Sequence, residues 1–149
     1  MLTTAHWVVV AVTAGAVVVC VLLHYEALRF MASRLPKFPS QYRRLGVAWL
    51  ILFLLLVHIA EIWVFGFANY VLLPYETYGR LEGVAGATLL DCVYYSAAVF
   101  TTLGFGDIVP KGPIRFLTGT EAITGLTLIG WSASFTYLTM SRAWDGTGR

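Results

Sequence analysis

The chain has 149 residues, of which 58% are hydrophobic and 12% charged, with a mean hydropathy of +0.75 and a formal net charge of +2. A water-soluble domain of this length cannot bury so much apolar surface, so the composition indicates an integral membrane protein. The small net charge gives no indication of a nucleic-acid partner. Cys20 and Cys92 lack the spacing of a metal or redox site, and we expect both to be packed thiols.

The first apolar segment, residues 7–30, predicts a transmembrane helix of about 36 Å, which is long enough to cross the hydrocarbon core. Residues 1–30 are therefore treated as one N-terminal helix, and the sequence does not indicate its packing partner. The segment from Arg29 to Arg44 is basic and lacks an acid, which predicts a loop, and residues 31–44 are assigned as a basic cytoplasmic loop. Its basic residues favour a role in setting the orientation of the chain in the membrane, with binding of anionic lipids as the alternative. They are Arg29, Arg34, Lys37, Arg43 and Arg44.

Residues 45–73 predict a second span, followed by a loop of mixed charge at 74–87 that suits the outer side. His58 and Glu61 lie three residues apart and therefore on one face of this helix. Ionisable groups at this depth must face protein or water rather than lipid. We expect them to form a structural pair, and proton sensing is the alternative role.

Residues 88–101 are apolar but reach only about 21 Å as a helix, which is too short for a span and is typical of a re-entrant helix. Thr88 is the expected N-cap, with Asp91 in the first turn. Residues 113–140 predict a third span rich in small residues, and residues 142–149 a short cytoplasmic tail. The predicted fold class is an all-α membrane protein with three transmembrane helices and one re-entrant helix.

The basic loop also predicts the topology. If it is cytoplasmic, three spans place the N-terminus outside and the C-terminus in the cytoplasm of a multi-pass protein in the cell membrane, plasma or inner. The short helix and the residues after it then enter the membrane from the outside.

Residues 101–107 read T-T-L-G-F-G-D, and a Gly-x-Gly run does not continue a helix readily. Non-helical backbone at membrane depth is tolerated only inside protein or beside water, so this segment is expected to line a polar pathway. It resembles the potassium-channel selectivity filter T-V-G-Y-G-D, with Leu103 in place of Val and Phe105 in place of Tyr. Similar departures are familiar in two-pore-domain potassium channels. The resemblance covers residues 45–141 as outer helix, pore helix, filter and inner helix.

The resemblance implies a potassium-selective channel in which backbone carbonyls replace the hydration shell of the ion. One chain supplies one loop, so it implies a homotetramer around a central axis. Potassium is the permeant ion, membrane lipids surround the assembly, and no cofactor or enzymatic activity is expected. The ion-binding residues are Thr102, Leu103, Gly104, Phe105 and Gly106, with Thr101 and Asp107 supporting the filter and its outer mouth.

The inner helix carries the candidate gate. Gly125 stands near the hinge glycine of related channels, and it serves either bending or close packing. Ile129 and Ala133, together with Leu126, are candidates for the cavity and the inner gate. Glu121 lies one turn before Gly125, where we expect it to brace the pore helix, with cation binding or proton sensing as alternatives.

Several alternatives remain at this stage. In some potassium channels the filter acid pairs with a Glu in the pore helix, and Ala98 occupies that place here. Together with the missing hydroxyl of Phe105, this keeps a weakly selective or nonselective cation channel open. A bis-histidine haem protein using His24 and His58 is a remote alternative, because their predicted heights differ by more than about 10 Å at 1.5 Å per residue. A non-conducting accessory subunit would not need glycines at both filter positions.

Overall fold

A computed structural model describes residues 3–34 and 43–145, and four α-helices make up most of them. They are α1 (Thr4–Arg34), α2 (Arg43–Leu72), α3 (Leu89–Phe100) and α4 (Arg115–Asp145). All four predicted helices are confirmed. The three long ones extend to bounds somewhat different from those predicted, and α4 includes the first residues of the expected tail.

The basic segment is only partly described, because residues 35–42, with Lys37, lie outside the described residues. Arg29 and Arg34 belong to α1 and not to a loop, which corrects the prediction. Within α1, the guanidinium of Arg29 lies 3.2 Å from the Glu26 carboxylate one turn earlier. A helix continues at small energetic cost through such i,i+3 pairs, which explains why the charges did not end it.

Among the described helices, α1 and α2 are long and apolar enough to cross a membrane. Together with the length and composition of the chain, they support a membrane protein. The helix α4 is as long as α1 but carries many hydroxyl and small residues, and its crossing of the bilayer stays a prediction.

The start of α3 is fixed by its own side chains. Thr88 accepts a hydrogen bond from the backbone N–H of Asp91 at 3.3 Å, and Asp91 accepts one from the N–H of Thr88 at 2.8 Å. This reciprocal capping box satisfies two backbone donors that a helix start otherwise leaves unpaired. The predicted N-cap is confirmed.

A two-stranded antiparallel ribbon, which the sequence analysis did not predict, joins the two loops that flank α3. Its strands are β1 (Arg80–Glu82) and β2 (Val109–Lys111), with Leu81 opposite Pro110. Gly83, just after β1, has a φ of +102°, and a side chain there would overlap the carbonyl oxygen of Asp107. The ribbon therefore ties the chain leading into α3 to the chain leaving residues 101–107.

The core lies where α1, α2, α3 and α4 meet. Its buried side chains include Val9 and Cys20 of α1, Phe65 of α2 and Phe100 of α3. The first helix thus packs against both α2 and α4, which supplies the packing partner that the sequence did not indicate. Cys20 and Cys92 are both buried free thiols, as predicted.

Candidate functional site

Residues 101–107, which we call the filter segment, leave the C-terminal end of α3 through a series of backbone hydrogen bonds. Thr102 N donates to the carbonyl of Val99 at 2.9 Å, and Gly104 N donates to the carbonyl of Ala98 at 3.0 Å. These bonds use carbonyl groups that a helix end leaves without an intrahelical partner. The beginning of the filter segment is therefore held directly on the last turn of α3.

The backbone of the filter segment alternates in handedness. Thr102, Gly104 and Gly106 have φ values of +58°, +55° and +81°, and Thr102 is the non-glycine residue with positive φ among those described. The two residues between them, Leu103 and Phe105, do not have positive φ. An L-residue in the left-handed region costs about 1–2 kcal/mol, so the fold imposes this conformation on Thr102, while glycine adopts it freely. Alternating handedness lets successive peptide groups point to the same side of an extended strip.

The filter segment lies on the surface of the protomer. All residues from 101 to 107 are exposed, and the apolar side chains of Leu103 and Phe105 are 59% and 64% exposed. A Cβ added at Gly104 or Gly106 would have no atom of residues 3–34 or 43–145 within 4 Å. The protomer alone therefore leaves a strip of backbone and large apolar groups uncovered.

Tyr94 of α3 braces the C-terminal end of the filter segment. Its hydroxyl donates to Oδ2 of Asp107 at 2.7 Å, and its ring stacks on Phe105 with centroids 6.4 Å apart and planes inclined by 5°. The other oxygen of Asp107 accepts from the backbone N–H of Ile108 at 3.0 Å. The acid is thus paired although Ala98 cannot pair with it. Sequence reasoning missed this role of Tyr94, and its position one helical turn before Ala98 was the available signal.

One of three comparisons with known proteins returned a match. A family model described as "Ion channel" matches residues 45–141, about two thirds of the chain. The chain belongs to this ion channel family. Neither the comparison with curated proteins nor that with solved structures returned a match. The match confirms the relationship to the potassium-channel type of pore module that the sequence predicted over these residues.

In this ion channel the inner-helix candidates occupy two different environments. Leu126, Ile129 and Ala133 are exposed on the protomer surface, at 63% and 37% for the first two. Gly125 is buried instead, and a side chain there would overlap the carbonyl oxygen of Phe100. Close packing, one of the two predicted roles of Gly125, is therefore present at the junction between α3 and the filter segment.

Glu121 is fully buried on α4, behind α3. Asn69 of α2 and Ser96 of α3 lie beside its carboxyl group, but neither oxygen of that group makes a hydrogen bond within the described part of the chain. The amide of Asn69 instead donates to Ser96 at 3.3 Å and to the carbonyl of Phe65 at 3.1 Å. Glu121 therefore lies behind α3, as expected of a residue that braces this helix. Its carboxyl group does not make the expected hydrogen bond to the described residues of α3.

His58 and Glu61 form the predicted pair, with Nδ1 of the imidazole 2.8 Å from Oε2 of the carboxylate. His24 of α1 joins them, with its Nδ1 2.9 Å from Oε1. The imidazole rings of His24 and His58 stack with centroids 5.4 Å apart, so the predicted difference in height was wrong. That prediction counted residues along each helix and did not take into account how α1 packs against α2.

The three residues form what we call the His24–Glu61–His58 cluster. The Glu61 carboxylate accepts hydrogen bonds from Nδ1 of both imidazoles, and the centroids of the stacked rings lie 5.4 Å apart. This geometry does not support the haem alternative.

Charged side chains surround the ribbon beside the filter segment. The Arg80 guanidinium lies 2.8 Å from the Glu82 carboxylate, and the Lys111 ammonium lies 3.6 Å from it. The hydrogen bond from Arg80 holds the pKa of Glu82 below its usual range. The ribbon therefore places a paired acid, Glu82, on the same side of the protomer as the Asp107 carboxylate.

Proposed function

We propose that this ion channel conducts potassium selectively through carbonyl oxygens of Thr102, Leu103, Gly104 and Phe105. The observation that supports this proposal is the positive φ at residues 102, 104 and 106, alternating with other backbone angles. This segment is hydrogen-bonded to the end of α3. A strip of this kind can direct successive carbonyl groups to one side, where they replace the water around a dehydrated ion. Glycine adopts positive φ at little energetic cost, and it occupies two of these three positions.

The assembly that fits this pathway is a homotetramer. One protomer offers one strip, and an ion must be surrounded by oxygens, so several copies have to meet on an axis. The exposure of Leu103, Phe105 and Leu126 supports this, because each leaves a large apolar group for another chain or lipid to cover. The short helix α3 ends at the filter segment, and its C-terminal dipole end favours a cation there.

The proposed topology has α1, α2 and α4 crossing the membrane, with the N-terminus outside and the C-terminus in the cytoplasm. Arg34 at the end of α1 and the arginines that begin α2 would then lie on the cytoplasmic side. The capped start of α3, the ribbon and Asp107 would lie on the outer side. Residues 45–141 form the pore domain, and residues 1–30 add a helix beside it.

Potassium selectivity, rather than passage of any monovalent cation, is favoured by the brace at the outer mouth. The pore-helix acid and the filter tyrosine of other channels are missing at Ala98 and Phe105, but Tyr94 holds both Asp107 and Phe105. A hydrogen bond to a charged group contributes roughly 1.5–3 kcal/mol, less where water competes. The brace restrains the end of the filter segment without either missing group.

The inner gate is proposed at Ile129 and Ala133, where apolar side chains on four copies of α4 can close a pore by dewetting. Gly125 is the proposed point of bending. Because Gly125 packs on Phe100, a change in α4 at this place would also move the base of the filter segment. Glu121, buried behind α3, would keep that helix in position.

Reconstitution in liposomes tests the proposal. We expect potassium flux well above sodium flux, and we expect Gly104→Ala to abolish it, because φ at this position is +55° and an alanine there strains the backbone. Gly15→Ala is the matched control, since Gly15 lies in the helical part of α1 with open space around it.

Comparable sodium and potassium flux would favour the nonselective alternative. Undiminished flux in Gly104→Ala would reject the filter segment as the pathway. Native mass spectrometry of the detergent-solubilised protein tests the assembly separately, with four chains expected.

A further inference from the structure

Three side chains with metal-binding atoms meet inside the protomer, in the His24–Glu61–His58 cluster. His24 and Glu61 are fully buried, and His58 exposes 16% of its side chain. One nitrogen from each imidazole and an oxygen from the carboxylate all lie within 4.8 Å of one another. Two helices, α1 and α2, supply these ligands, so the site exists only in the folded chain.

The buried carboxylate of Glu61 favours a cation in the cluster. The Glu61 carboxylate is fully buried, and its ion-pair partners among the described residues are the two histidines. A buried carboxylate without a compensating charge is costly, because desolvation is not repaid. A bound cation would compensate this charge.

We propose that the cluster binds a divalent transition-metal ion of the zinc class. Two imidazole nitrogens and one carboxylate oxygen form a His₂Glu set that suits zinc and its neighbours, whereas magnesium and calcium prefer oxygen ligands alone. Cys20, one turn before His24, is not a ligand in this site, because its thiol is directed to the carbonyl of Glu61 at 3.8 Å. Water from the neighbouring groove would fill the remaining position.

Binding needs only a small rearrangement. Without metal, each Nδ1–H donates to Glu61, and the hydroxyl of Ser132 on α4 lies within hydrogen-bond distance of Nε2 of His24, at 3.4 Å. With metal, both protons sit on Nε2 instead, and His24 donates to Ser132, which accepts as readily as it donates. Ligands of a tetrahedral zinc ion lie about 3.3 Å apart, and the candidate ligand atoms of the cluster already lie within 4.8 Å of one another.

The surroundings provide both an entry path and support for the rings. His58 opens on a groove of about 430 Å³ between α2 and α4, lined mostly by apolar side chains together with Ser132. The ring of Trp131 lies 5.4 Å from that of His24, and Phe100 lies 6.0 Å from His58. Because Phe100 directly precedes the filter segment, a metal here would link α1 and α2 to the base of that segment.

The test uses the purified full-length protein in detergent after treatment with a chelator, titrated with Co²⁺ alone and then with Zn²⁺. We expect saturable visible d–d absorption of tetrahedral type at one Co²⁺ per chain, and its loss when Zn²⁺ displaces the cobalt. Glu61→Gln should weaken Co²⁺ binding by at least about 100-fold, since loss of a ligand exceeds the 10–100-fold effect of an outer-shell partner. Ser132→Ala should weaken it by about 10-fold.

His6→Asn is the matched control, since His6 bonds to Thr3 near the start of α1 and lies outside the cluster. It should bind Co²⁺ as the wild type does. If Glu61→Gln does not fold, His58→Asn takes its place, and wild-type protein alone should gain thermal stability with added Zn²⁺.

Absence of saturable Co²⁺ and Zn²⁺ binding by the wild type would overturn the proposal and leave the cluster as a hydrogen-bonded network. Equal binding by Glu61→Gln or His58→Asn would overturn it as well. The measurement needs no ion flux, so its outcome is independent of the proposed potassium conduction.

Discussion

The filter segment and the His24–Glu61–His58 cluster are organised in opposite ways. The filter segment is seven consecutive residues, exposed on the protomer and shaped by its own backbone angles. The cluster joins residues 37 positions apart in sequence, and it is buried and completed within one chain. A local motif can remain exposed on one protomer and be covered by other copies of the chain. A buried ionisable group in a membrane, in contrast, needs its partners within the same fold. The two regions meet at Phe100, which contacts His58 and Gly125.

The largest expected effect comes from breaking the buried cluster. Glu61→Leu removes the acceptor of two imidazole N–H groups, and we expect it to destabilise the folded protein by about 3 kcal/mol. Thermal unfolding in detergent, followed by circular dichroism, measures the change. Glu26→Leu is the control, since Glu26 forms an exposed pair with Arg29 and should change stability little. Equal effects of the two substitutions would contradict the structural role of the cluster.

The next effect is expected where the two regions meet. Gly125→Ala places a methyl group against the carbonyl oxygen of Phe100, so we expect a loss of about 1–3 kcal/mol by overpacking. Gly119→Ala, six residues earlier on the same helix with open space around it, should be neutral or slightly stabilising. Thermal unfolding of both variants distinguishes packing from helix propensity. A Gly125→Ala variant as stable as Gly119→Ala would mean that the contact with Phe100 relaxes without loss of stability.

A smaller effect on stability is expected at the outer end of the filter segment. Tyr94→Phe removes the hydrogen bond to Asp107 but keeps the ring on Phe105, so we expect a loss of about 1 kcal/mol. The clearer result should be a lower ratio of potassium to sodium flux, because the filter segment loses its restraint. Tyr70→Phe, at an exposed tyrosine of α2, serves as the control. An unchanged flux ratio in Tyr94→Phe would show that Asp107 needs no brace.

The smallest effect is expected at the ribbon. Arg80 lowers the pKa of Glu82, so their pairing stabilises the folded state above the usual pKa of a glutamate and loses this contribution as the pH falls through the folded value. Arg80→Ala should therefore lower the unfolding temperature slightly at neutral pH. The difference from wild type should vanish on acidification below the usual range of a carboxyl group. A difference that grows on acidification would contradict the pairing.

The sequence was sufficient for features that depend on neighbouring residues. Helix α3 was predicted with its cap because Thr88 and Asp91 satisfy each other within one turn. The filter segment was recognised because its glycines and hydroxyl residues are consecutive. The ribbon was not predicted, since three-residue strands are set by pairing between distant loops and by the close approach at Gly83.

By itself, the sequence determined a membrane protein with four helices and predicted a pore loop at residues 101–107, because hydrophobic length and backbone preference are local properties. Only the tertiary structure decided that His24 reaches Glu61, that Tyr94 holds Asp107, and that Gly125 lies on Phe100. Each of these contacts depends on the rotation and height of one element against another, which residue spacing along a single helix does not specify.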